Sequence, residues 1–165
     1  VSAEEEARPE GFRRVAQALS ALGHAHAPLW LEVAARTSQE AADALGVAVG
    51  QIAKSVIFRR RSDDRAVLVI ASGDRRVDER KVGAVTGELG RADAGFVKTS
   101  TGFAIGGVAP LAHASAPVTL IDRDLFRFGE IWAAAGHPNG VFKLTPVELE
   151  RYTGAPVADV VVVTP

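Results

Sequence analysis

Cysteine is absent from all 165 residues. That removes disulfides, thiolate nucleophiles, iron–sulfur clusters and cysteine-based zinc sites together. An excess of either charge is missing too: nineteen Lys and Arg face twenty Asp and Glu, a net charge of −1. No global basic excess advertises nucleic acid, so any such contact has to come from a local patch. No apolar run approaches the roughly 18 residues of a membrane span. The acidic start Val1-Ser2-Ala3-Glu4-Glu5-Glu6 is unlike a secretory leader. Lysine is scarce, four against fifteen arginines, a ratio that reads first as coding bias. What remains is ordinary globular material, 47% hydrophobic and 24% charged, enough for one domain with a real core. The expectation is a soluble, cytoplasmic protein: a lead-in over residues 1–8, then one domain over 9–165.

Helix signals recur along the chain. Phe12, Val15, Leu19 and Leu22 repeat at helical spacing after Pro9, with Gly23 as a stop. Thr37-Ser38-Gln39-Glu40 has the form of a capping box and opens a helix ending near Gly46. Asp78 and Asp93 are caps for short helices ended by Gly87 and Gly102, and Thr145-Pro146 starts another through Tyr152. Strand signals lie between them. Ser55–Arg59 and Ala66–Ala71 bracket the turn Arg61-Ser62-Asp63-Asp64 and predict a hairpin. Residues 28–34, 118–121, 131–135, 141–144 and 157–163 also read as strands. Helices interspersed irregularly among strands predict an α+β fold with a mixed sheet.

Three features carry chemistry. Lys54 stands at the entrance of an apolar strand, where a compact ammonium differs from a guanidinium fork and suits a phosphate or a polarised carbonyl. The plain alternative is a lysine snorkelling from a sheet edge. Gly106-Gly107-Val108-Ala109-Pro110 lets main chain approach a ligand and aim N–H groups at one point, or is simply a tight connection. It is neither a P-loop nor a dinucleotide fingerprint. Gly136-His137-Pro138-Asn139-Gly140 is a turn whose His137 and Asn139 either line a pocket or serve only the turn. Against these, no His-Glu-x-x-His spacing exists for a metal and no Gly-x-Ser-x-Gly elbow for a serine nucleophile. Ser55 beside Lys54 is no dyad, because strand neighbours point to opposite faces. The arginines from Arg59 to Arg80, with Lys81, form either a modest phosphate footprint or a face paired with Asp63, Asp64, Asp74, Asp78 and Glu79.

In order along the chain, Gly50-Gln51-Ile52-Ala53-Lys54-Ser55-Val56-Ile57-Phe58, then Val77-Asp78-Glu79-Arg80-Lys81-Val82, then Thr101-Gly102-Phe103-Ala104-Ile105-Gly106-Gly107-Val108-Ala109-Pro110 resemble the YbaK/ProX family. These are free-standing relatives of the prolyl-tRNA synthetase editing domain. The resemblance implies a twisted mixed sheet, partly barrel-like, with surrounding helices. It implies a trans-editing deacylase that hydrolyses mischarged aminoacyl-tRNA, with no protein nucleophile, metal or cofactor. Lys54 matches the family's functional lysine, and Gly106, Gly107, Val108, Ala109 and Pro110 match its Gly-x-x-x-Pro loop. Ser55, Phe103, His137 and Asn139 are the substrate-binding candidates. The implied partner is the acceptor end of tRNA, with an aminoacyl-tRNA synthetase as a docking partner. The alternatives are a non-catalytic module that binds tRNA or a synthetase, and a small-molecule ester hydrolase. The turn at 134–140 departs from the family's patterns, so the amino acid removed stays open.

Overall fold

A computed structural model describes residues 7–163, so the first six positions of the expected lead-in lie outside the described residues. Its elements in order are α1 (Glu10–Ala21), β1 (Leu29–Trp30), α2 (Ser38–Leu45), β2 (Ile52–Arg60), β3 (Ala66–Ser72), α3 (Glu79–Thr86), β4 (Leu89–Gly90), α4 (Ala94–Thr101), β5 (Val118–Asp122), β6 (Ile131–Ala134), β7 (Gly140–Leu144), α5 (Pro146–Thr153) and β8 (Val157–Ala158). Short 3₁₀ turns precede β2 at Val49–Gln51 and follow β5 at Arg123–Arg127.

The caps read from sequence form where expected. Thr37 and Thr145 each close a reciprocal capping box with a glutamate three residues on. Asp78 and Asp93 accept from first-turn N–H groups, satisfying donors that a helix leaves orphaned.

All strands join one mixed sheet in the order β1-β7-β6-β2-β3-β5-β8, with β4 beside β2. β2–β3 and β6–β7 are antiparallel, whereas β2–β6, β3–β5 and β5–β8 are parallel. β1 and β8 stand at opposite ends of that order and do not pair, so the partly barrel-like expectation becomes an open sheet. β3 is buried at every position because both faces are covered. On one face α1, α4 and α5 contribute Phe12, Val15, Leu19, Val97 and Leu149 against Leu68, Ile70 and Phe142. On the other, Val82 of α3 packs on Phe58, Val67, Val69 and Leu120. Each fully buried aliphatic side chain of this kind stabilises the fold by about 1.5–3 kcal/mol.

Three boundaries differ from the sequence reading. β2 begins at Ile52, three residues earlier than expected, which puts Lys54 inside the strand. The runs at 28–34 and 157–163 pair over only two residues each.

Candidate active site

β2 builds the site through what it fails to pair with. β6 meets it only at Ile52 and Ala53, and β4 only at Arg59 and Arg60. From Lys54 to Phe58 that edge has no strand partner among the described residues. The ladder with β3 fixes which groups are left over. Gly73 N–H donates to Ile52 O at one end, and Arg60 N–H donates to Arg65 O at the other. Antiparallel pairing alternates, so even-numbered residues of β2 bond to β3. Ser55 and Ile57 therefore aim N–H and C=O groups at the open edge.

That edge faces a cavity of about 350 Å³. Ile52, Ala53, Ser55 and Ile57 form its floor, and Ala35–Ser38 with Ala41 of α2 form one wall. Trp132, Ala133 and Ala134 of β6, Val97 of α4, and Ile105, Gly106 and Val108 close it. The lining is mostly apolar. Ser55 Oγ is buried there with no hydrogen-bond partner among the described residues.

Lys54 borders this cavity and also a larger, more polar cleft of about 860 Å³ lined by residues 73–80. Strand alternation sends its side chain to the face of Val56 and Phe58, opposite Ser55 and Ile57. Its Nζ donates to the Arg75 carbonyl. Burial pushes the amine below the ordinary lysine value, and the Asp74 carboxylate partly opposes that.

The 106–110 segment is split in role. Gly106 and Val108 line the cavity. Gly107 instead packs on the 136–140 turn: a Cβ there would lie 2.7 Å from His137 Cα and 2.8 Å from its N. Its N–H donates to Ala104 O and is not free for a ligand. Ala109 and Pro110 are buried, and Ala109 accepts from His113 Nε2 at 2.6 Å. Burial holds His113 below the ordinary histidine value; its bond to Ala109 opposes this and the Arg14 charge adds to it.

Of the expected substrate-binding residues, Ser55 alone lines the cavity. Phe103 is 1% exposed within the core, under the Arg14 guanidinium. His137 stacks on Trp30 with ring centroids 4.9 Å apart, and its Nδ1 accepts from Asn139 N–H. Asn139 Nδ2 donates to Leu31 O at 2.8 Å. Both therefore tie the turn to the β1 segment. The arginine-rich hairpin is largely self-paired: Arg60 with Asp63, Arg75 with Asp74 and Asp124. Sequence reasoning passed over Arg36, Trp132 and Ile105. Arg36 had a signal, since it immediately precedes the capping box at Thr37.

No group of three or more His, Asp or Glu among the described residues is placed to hold a metal ion. No described helix is long and apolar enough to cross a membrane.

The model of the aminoacyl-tRNA editing domain matches residues 32–152, which span the cavity walls, β2 and the 106–110 loop. The chain belongs to the aminoacyl-tRNA editing domain family. A solved structure described as a candidate trans-editing enzyme for prolyl tRNA synthetase is 39% identical. It covers 95% of this chain and 100% of that one, with a TM-score of 0.87. Hypothetical protein APE2540 is 31% identical over 90% of this chain and 99% of its own, TM-score 0.84. Among curated proteins, Uncharacterized protein YwhH of Bacillus subtilis (strain 168) is 35% identical over 123 residues, 74% of this chain and 78% of YwhH.

Proposed function

We propose that this editing-domain chain is a trans-editing hydrolase. It cleaves the ester between a wrongly attached amino acid and the 3′-terminal adenosine of a tRNA. The observation that carries this reading is the meeting of the open β2 edge, Lys54 and the Gly106–Val108 segment around one small cavity.

The aminoacyl group enters the apolar cavity and the nucleotide stays at its rim. Water attacks the ester carbonyl carbon, the bond to the ribose oxygen breaks, and that oxygen takes a proton. The products are a free amino acid and an uncharged tRNA end. The lining residues with ionisable side chains are Arg36 and Lys54. Proton transfer therefore falls to water and the neighbouring ribose hydroxyl. The tetrahedral oxyanion needs preorganised donors, each worth about 3 kcal/mol. Gly107 N–H is already engaged, so the donors in this mechanism are the open N–H groups of Ser55 and Ile57. Lys54 adds positive charge after its flexible stem swings the amine from the Arg75 carbonyl. Selection is by fit to the apolar lining of the cavity, where one methylene too many costs about 1–3 kcal/mol.

Single-turnover deacylation of Ala-, Ser-, Thr-, Cys- and 2-aminobutyryl-tRNAs tests this. Wild-type protein should hydrolyse at least one of them, and Lys54→Ala should slow that reaction about 100-fold or more with an unchanged circular dichroism spectrum. Binding of tRNA without hydrolysis identifies a non-catalytic module. Hydrolysis of simple esters regardless of tRNA identifies a small-molecule esterase.

A further inference from the structure

Arg36 is unlike the other cations near the site. It lines the cavity, yet its guanidinium makes no hydrogen bond or ion pair with any described residue. The second lining cation, Lys54, already donates to a carbonyl. One carboxylate near it in sequence is engaged: Glu40 accepts from both Thr37 N–H and Thr37 Oγ1 in the capping box. Arg36 is exposed, and its Cβ and Cγ lie 3.8 and 3.7 Å from where a Cβ on Gly106 would sit. It therefore stands at the mouth, beside the loop. Its charge reaches the neighbouring turn, where it adds to burial in holding His137 below the ordinary histidine value. A strong planar donor kept without an acceptor among the described residues, at the rim of a mostly apolar cavity, fits a ligand whose outer part is an anion. A guanidinium fork matches phosphate oxygens bidentately, which a lysine does not.

We propose that Arg36 binds a phosphate of the terminal nucleotide and so registers the aminoacyl ester over the β2 edge. The inference rests on the editing reading above and adds a binding residue to it. The amino acid's carboxyl is esterified and uncharged in the substrate, so the anion available at the mouth is the nucleotide's 5′-phosphate.

The test compares two minimal substrates, the 3′-aminoacyl esters of adenosine and of adenosine 5′-monophosphate, alongside intact aminoacyl-tRNA. Wild-type protein should prefer the phosphorylated ester by about tenfold in kcat/KM, carried by KM, and the preference should shrink as salt rises. Arg36→Ala should erase most of that preference, and Arg36→Lys should keep part of it. No preference in the wild type, or one that Arg36→Ala leaves intact, overturns the proposal. If aminoacyl-tRNA is hydrolysed in either case, the editing reading survives and only the role of Arg36 falls. Absence of hydrolysis by the wild type on every substrate removes the editing reading, and this inference with it.

Discussion

At the scale of single residues, the 106–110 segment shows how one motif divides its labour. Gly106 has φ +92°, a conformation that a Cβ strains, although the space around it is open to 3.7 Å. Gly107 is required for a different reason, the pressure of the His137 backbone. Neighbouring backbone cannot rotate aside as a flexible side chain can. Gly107→Ala should lower stability by about 1–3 kcal/mol, read as a shift in the urea midpoint, because the loop and the 136–140 turn must separate. Deacylation should fall with it, since Gly106 and Val108 move together with Gly107. An unshifted midpoint would show that the two segments are not locked together.

At the scale of elements, α2 couples folding to the site. It is eight residues long and short for an independent helix, so its capping box and the packing of Ala41 and Ala42 hold it in place. Its N-cap Thr37 and first residue Ser38 join the cavity wall, directly after Arg36. Thr37→Ala removes the side-chain acceptor for Glu40 N–H and should destabilise the protein by about 1 kcal/mol. Hydrogen exchange localises the effect: protection should drop in 38–45 while β3 keeps its own. An equal loss in both elements would mean that α2 opens only with the whole fold.

At the scale of the molecule, two buried or half-buried histidines set a direction for pH dependence. Burial holds both His113 and His137 below the ordinary value of 6.5. In that range the unfolded chain binds more protons than the folded one, so stability rises with pH and is lost as pH falls below 6.5. For His113 the slope is at most about 1.4 kcal/mol per pH unit. Denaturation midpoints measured from neutral to mildly acid pH should decline. His113→Gln, which keeps a donor for Ala109 O, should flatten part of that decline. A profile identical to wild type would remove His113 as its source.

Much was legible without coordinates because it is local. Caps at Thr37, Asp78, Asp93 and Thr145 depend on a side chain and an N–H two or three residues away, and all four form. The β2–β3 hairpin and the Arg60–Asp63 pair are likewise close in sequence, whereas Arg75 reaches Asp124 across 49 positions. The two-residue strand β4 was not legible, and β1 and β8 were legible as strands but not in their extent, since each pairing is set by a distant partner. The same limit hid the roles of Phe103, His137 and Asn139, whose contacts are with Arg14, Trp30 and Leu31, 89 to 108 positions away.

Amino-acid order alone determined the helices, the hairpin and the motifs that mark an editing domain, since short-range hydrogen bonding and side-chain periodicity specify them. Tertiary structure decided where β6 and β4 leave β2, and so which main-chain groups stay open and which cation stands at the mouth with no partner among the described residues. Strand divergence depends on the packing of whole elements against one another, which no local pattern encodes.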